Sequence, residues 1–270
     1  MYQANISYFV ERASELDTTT KNLYLYIGTN TLAYTIVNEE ATIVAFEKYN
    51  LPNTDNVYTL FFESKKWLTN TFKNIKITFG AVQTSAIPTT YFAASNIPNI
   101  LTLQYGDVDT YKCFYNTIAN HKLHIAYRVP YSNAKQIITQ YPAASMYHCQ
   151  AVVLANTSTQ PNLQLLFLDD VLTLTLTNET TLLSTKTIPV LSNEDVLYQV
   201  LLLLQIHQIN EATIPIVISG WITEKSALYQ ELYKYCTNLQ FETSLAHLHI
   251  NSKELEPHFF TLFEQMHTQP

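Results

Sequence analysis

The sequence predicts an α/β protein built from two copies of one β-β-β-α-β unit, and three observations carry that expectation. The 270 residues suffice for two lobes, each with a core of its own. Shifted by 140 places, the chain overlays on itself without a gap. Each copy also reads as alternating strands, then a helix, then a short strand that ends at a glycine.

The overlay lays residues 23–80 on 163–220 and yields twelve identities, among them Leu23 with Leu163, Leu32 with Leu172, Asn38 with Asn178 and Gly80 with Gly220. Average residue usage would give about four over such a length. In copy one, Leu23, Leu25 and Ile27 and then Leu32, Tyr34 and Ile36 have the period of two of half-buried strands. A third strand is expected at 41–47. Copy two repeats the pattern at 163–168, 172–177 and 181–187. Polar residues then announce a helix in each copy: Asn53 and Asp55 in the first, Ser192, Asn193 and Asp195 in the second. The helices are expected at 55–72 and 194–208, the second apolar nearly all round and so predicted to be central. Closing strands follow at 75–79 and 215–219.

Between the copies the pattern predicts a strand at 122–129, a helix at 132–141 and a strand at 150–155, preceded by a loop or lid around Pro88 and Pro98. ANTSTQPN, residues 155–162, has the turn chemistry of a lobe linker. A helix at 223–237, a strand at 245–250 and a helix at 254–266 complete the chain. The expected lobes are 1–155 and 156–270.

Composition excludes several classes of function. Net charge is −7, and only Arg12 and Arg128 carry guanidinium groups, which argues against nucleic acid as a partner. Lys65, Lys66, Lys73 and Lys76 read as a solvated helix face. The most apolar run, VLYQVLLLLQI, is too short to cross a bilayer, and the N-terminus lacks the pattern of a signal peptide, so a cytoplasmic protein with no membrane partner is expected. Cys113, Cys149 and Cys236 are odd in number and far apart, as buried reduced thiols would be. The four glycines are Gly28, Gly80, Gly106 and Gly220, with no two within twenty residues of each other. Neither glycine-rich phosphate motif can therefore be written on this chain.

The run LLSTKTIPVLSNEDVLYQVLLLLQ followed by PIVISGWITEKSALYQELYKY resembles a family of bacterial proteins of unknown function with the actin-like fold. LYLYIGTNTLAYTI and HIAYRVP fit the same family. The resemblance covers most of the chain and implies an actin-like ATPase fold, ribonuclease H-like, with two duplicated β-β-β-α-β-α lobes and mixed sheets about a hinge. In active members of that superfamily the first strand ends in Asp-x-Gly, and the aspartate organises metal and water. Here Gly28 fits, but Tyr26 stands at the aspartate position. The matching turn of copy two carries Asp169 and Asp170, and Gly220 stands alone where a glycine-rich loop would hold adenosine. No catalytic residue, metal or cofactor is expected. A bound nucleotide would fall to Gly28, Thr29, Asn30, Asp169, Asp170 and Gly220.

Other constellations are weaker. His247 with His249 and His121 with His124 are the close histidine pairs, and neither has a nearby acid or thiol to complete a metal site. Tyr91 and Phe92 lie between prolines and suit a protein interface as well as a core. The expected function is a non-catalytic scaffold or interaction module that binds another protein or a copy of itself. A divergent ATP-binding protein, ATPase or kinase is the alternative, and a regulatory lobe that binds a metabolite without turnover is a third.

Overall fold

The computed structural model describes residues 2–10, 17–54, 56–107, 110–157, 160–243, 245–252 and 254–269. Arg12 and Asp55 lie outside the described residues, as do Ser158 and Thr159 of the linker. Two large mixed sheets carry the same element order. In the first, β2 (Asn22–Ile27), β3 (Thr31–Val37) and β4 (Ile43–Asn50) form an antiparallel meander, α1 (Val57–Ser64) crosses over, and β5 (Asn74–Phe79) returns parallel to β2. In the second, β10 (Asn162–Leu168), β11 (Val171–Asn178), β12 (Thr181–Pro189), α5 (Asn193–Ile206) and β13 (Ile216–Gly220) repeat it. β9 (Ser145–His148) extends the first sheet beyond β5, and β14 (Leu239–Phe241) extends the second beyond β13, both parallel. The strand orders are β1-β4-β3-β2-β5-β9 and β12-β11-β10-β13-β14, where β1 (Ile6–Phe9) adds an edge strand found in the first sheet alone.

Register refines the sequence overlay. Leu23 pairs with Ile75 but Leu163 pairs with Ile216, so the last strand of copy two is displaced by one residue. The N–H of Gly80 donates to Ile27 and that of Trp221 to Phe167, which makes Trp221, and not Gly220, the counterpart of Gly80. The Gly80 and Gly220 identity is therefore a coincidence of the ungapped overlay.

The strands of copy one are buried on both faces, not one. Leu23, Leu25 and Ile27 face a core with Phe61, Leu68 and Ile137, while Tyr24 and Tyr26 face a second core shared with Leu166, Leu168 and Val171 of the other sheet. A tyrosine ring buries as much apolar surface as a leucine, so the alternation of Tyr and Leu did not mark a wet face. The C-terminal helix α7 (Thr261–His267) closes this second core, with Phe260 and Phe263 edge-on to Phe46 at 5.0 and 5.9 Å. Lys76 donates to the carbonyls of Met266 and Gln269 at the end of that helix, where a cation complements the helix dipole. Lys65 pairs with Glu47 and Lys73 with Glu39, so three of the four lysines are each tied to a separate partner.

Several sequence expectations are corrected. Residues 149–155 form a helix, α4 (Cys149–Ala155), not a strand. Its residues 149–154 are all buried, and burial on every side erases the periodicity that separates helix from strand. Residues 245–250 contribute one bridge, Thr42 with His249, in place of a strand. α1 is preceded at its N-cap by Asn56 in a left-handed conformation with no side-chain cap, so Asn53 does not cap it, whereas Ser192 does cap α5 by accepting from the N–H of Asp195. α5 buries Val196, Val200 and Leu204 along one stripe and leaves Tyr198 and Ile206 exposed, so it lies on the surface of its sheet. α3 at Tyr131–Gln140 stands close to expectation, whereas α1 ends at Ser64 with a 3-10 turn at Lys66–Thr69, α6 covers only Ala227–Tyr233 of the expected 223–237, and α7 follows a 3-10 turn at Pro257–Phe260 in place of one helix from 254.

The segment read as a lid is ordered. β6 (Thr84–Pro88), β7 (Tyr111–Ile118) and β8 (Leu123–Pro130) form a third, antiparallel sheet in the order β6-β8-β7, covered on its outer face by α2 (Ile97–Tyr105). Phe92 points inward and stacks on His124 with centroids 3.6 Å apart, while Tyr91 is exposed. Arg128 is buried there and donates to Gln83, Gly106 and Tyr105, with the ring of Tyr111 4.7 Å away. Cys149 and Cys236 are buried, Cys113 is half-buried, and all three are unpaired.

Candidate functional site

The β2–β3 and β10–β11 hairpins turn at equivalent places, since Ile27 pairs with Leu32 and Phe167 with Leu172. The fold brings these two turns against each other. The backbone N–H groups of Thr29 and Asn30 both donate to Oδ2 of Asp170, at 3.0 and 3.1 Å. Thr31 Oγ1 donates to Asp169 at 3.4 Å, and Lys48 of β4 forms an ion pair with the same carboxylate. Asp169 can hold this position because it adopts a left-handed conformation, φ 57°, at the tip of the turn, which aspartate tolerates better than most residues. Five of the six residues expected to hold a nucleotide are thus together, with Asp170 bound to Thr29 and Asn30, and Asp169 bound to Thr31 and Lys48.

Beneath the turn lies Tyr26. Its ring packs edge-on to Trp221 at 5.3 Å, and Lys48 Nζ lies 5.1 Å from the Trp221 ring centre. A Cβ on Gly80 would stand 2.1 Å from the Tyr26 hydroxyl, and one on Gly28 would stand 3.0 Å from it and 3.1 Å from Oδ1 of Asp170. Both glycines therefore make room for Tyr26, and Gly28 also for Asp170. Gly220 answers a different need, with φ +89° and a Cβ position 1.9 Å from the carbonyl oxygen of Phe167. It lets β13 end tightly against β10.

Burial pushes the Tyr26 phenol well above its ordinary value, and the nearby Cys149, Asp170 and Asp169 add to the effect. Burial also raises the Asp170 carboxyl, opposed by the N–H bonds from Asn30 and Thr29. The Tyr26 hydroxyl and Asp170 Oδ1 are buried without a hydrogen-bond partner among the described residues. The pocket beside Gly28, Gly80 and Asn133 holds about 200 Å³, below the roughly 300–1,000 Å³ usual for small-molecule sites. A larger groove of about 840 Å³ lies elsewhere, between α1 and α3. Among the described residues no three His, Cys, Asp or Glu side chains are grouped to hold a metal. His121 meets Thr157, His124 meets Thr117 and Phe92, and His247 and His249 are exposed. The sequence reading did not place Lys48, Gly80 or Trp221 in the site, for they lie on three elements that only the fold brings to one place.

The family model described as a protein of unknown function, DUF3822, matches residues 11–239. The chain belongs to that family. A Bacteroides thetaiotaomicron protein with actin-like ATPase fold and unknown function is similar at TM-score 0.72 and 14% identity, over 84% of this chain and 93% of that one. The PilM-PilN type IV pilus biogenesis complex contains a chain similar at TM-score 0.56 and 11% identity, over 92% of this chain and 99% of that one. The cytoplasmic domain of EpsL, an inner membrane component of the type II secretion system of Vibrio cholerae, is similar at 0.52 and 8%, over 93% and 96%. No curated protein matches in sequence. The fold is therefore actin-like, as the resemblance implied, and among the described residues no helix is long and apolar enough to cross a membrane.

Proposed function

We propose that the chain is a non-catalytic actin-like protein that works as a protein-interaction module, with its interlobe cleft held shut by its own side chains. The observation that carries this reading is the carboxylate of Asp170 on the N–H groups of Thr29 and Asn30. Those donors are the ones a phosphate would take in this fold, and a carboxylate already satisfies them. A triphosphate does not fit the residues present. Tyr26 fills the space where the fold's aspartate would sit, Asp169 is neutralised by Lys48, and the adjacent Asp170 would repel an incoming anion.

The same reading takes residues 1–155 and 156–270 as lobes, with the twofold element order as the trace of an internal duplication. Three unpaired thiols suit the reducing cytoplasm. The similar chain of the PilM-PilN complex is a precedent for such a role on this fold. The test is a thermal melt with saturating magnesium and ATP. An unchanged melting temperature is expected; a rise that grows with nucleotide concentration favours the divergent ATPase.

A further inference from the structure

The protein-interaction reading leaves the surface and the partner open, and we infer that the partner is a second copy of this chain, bound through the uncharged outer layer of the third sheet. Residues 77–106 contain no Asp, Glu, Lys or Arg, in a chain that is 14% charged. Their outer part, the 3-10 turns at Thr89–Tyr91 and Ala94–Asn96 followed by α2, lies over the face of the sheet that carries Cys113 and Ala126. Phe92, Ile97 and Leu101 point into that face. Leu103, 88% exposed, and Tyr91, 79% exposed, point away from it. Tyr115 of β7, 46% exposed, continues the surface beside Phe92, with centroids 4.9 Å apart.

Charge decides the occupant. Two copies of a chain with net charge −7 repel each other, and across a twofold axis any ionised side chain near the axis meets its own like charge. The uncharged layer removes that penalty. Its exposed polar groups, such as Thr90, Asn96, Asn99 and Gln104, each both donate and accept, so each can pair with its own copy. A basic or acidic partner, or an anionic membrane, would find no counter-charge on this layer. The exposed apolar side chains Leu191, just before α5, and Tyr198 and Ile206 on it stand with Glu194 and Asp195 in the first turn of that helix, which disfavours self-contact there.

Sedimentation equilibrium from about 1 to about 100 μM protein tests the inference. The expected result is a monomer–dimer equilibrium that Leu103→Glu weakens at least about tenfold, as loss of a central apolar contact does, and that Leu191→Glu leaves unchanged. Leu103 is exposed, so its variant should keep the wild-type circular dichroism and melting temperature measured at the lowest concentration. A wild type that stays monomeric throughout, or a dimer lost in Leu191→Glu but kept in Leu103→Glu, would overturn it. Neither result bears on the closed cleft, whose failure would show as nucleotide binding instead.

Discussion

Oδ2 of Asp170 lies 3.1 Å from the backbone nitrogen of Asn30, a residue 140 positions earlier in the chain and on the equivalent hairpin of the other sheet. The bond joins the two halves of the molecule at their tips. Removing the carboxylate leaves two N–H groups without their acceptor and also removes a half-buried negative charge, so Asp170→Ala should lower stability by about 1–2 kcal/mol. Urea denaturation monitored by tryptophan fluorescence, to which Trp221 near the site and Trp67 against the first core both contribute, checks this.

Tyr26 and Gly80 form a large and small pair whose coupling can be measured. The Tyr26 hydroxyl has no hydrogen-bond partner among the described residues, so Tyr26→Phe should change stability by less than about 1 kcal/mol. Gly80→Ala should cost about 1–3 kcal/mol through overpacking, because its methyl would meet a ring held by Trp221. In the double variant the hydroxyl is absent, and the Gly80→Ala cost should shrink. A double-mutant cycle from three denaturation curves reads that coupling.

At Gly220 the obstacle is backbone. Alanine would need a left-handed conformation and would press its methyl into the Phe167 carbonyl, so Gly220→Ala should cost at least about 2 kcal/mol. No second substitution relieves a clash with backbone, and Phe167→Leu should leave the cost unchanged.

Acid should weaken the fold through His148. Burial lowers its imidazole to about 4, while Nε2 bonds to the Ala81 carbonyl and Nδ1 accepts from the N–H of Gln150. A histidine depressed in the folded state binds protons better when unfolded, so its contribution is complete above about pH 6.5 and falls as pH drops towards 4. The shift corresponds to a loss of about 3 kcal/mol across that window. The raised carboxyl of Asp170 works in the opposite sense, stabilising the fold as it takes up a proton. Burial also lowers His258 and His267, so the net trend is towards instability in acid. Melting temperatures at pH 7, 5.5 and 4.5 for the wild type and His148→Gln test this, and the variant should give the flatter profile.

The hairpins, the crossover helices and the returning strands were legible because period-two alternation and the Ser192 cap are local signals. Helix α4 was not, because a segment such as CQAVVL buried on every side has no face to betray its period. The third sheet was hidden for a different reason. Its strand β8 pairs with β6 across a long excursion through α2 and β7, and the prolines that suggested a loop stand at the last residue of β6, Pro88, and in the first turn of α2, Pro98. For the site, Tyr26, Gly28, Asp169 and Asp170 could be named from the two hairpin turns together with the resemblance to actin-like proteins. That Asp170 reaches across to Thr29 and Asn30 depends on how the two sheets face each other, which no local pattern records.

The central claim is that the cleft is filled from within. Calorimetric titration of the protein with magnesium and ATP, at protein concentrations high enough to register millimolar affinity, tests it most directly. A flat trace is the predicted result. Heat that saturates at one site per chain would mean that nucleotide displaces Asp170 from Thr29 and Asn30, and would contradict the account.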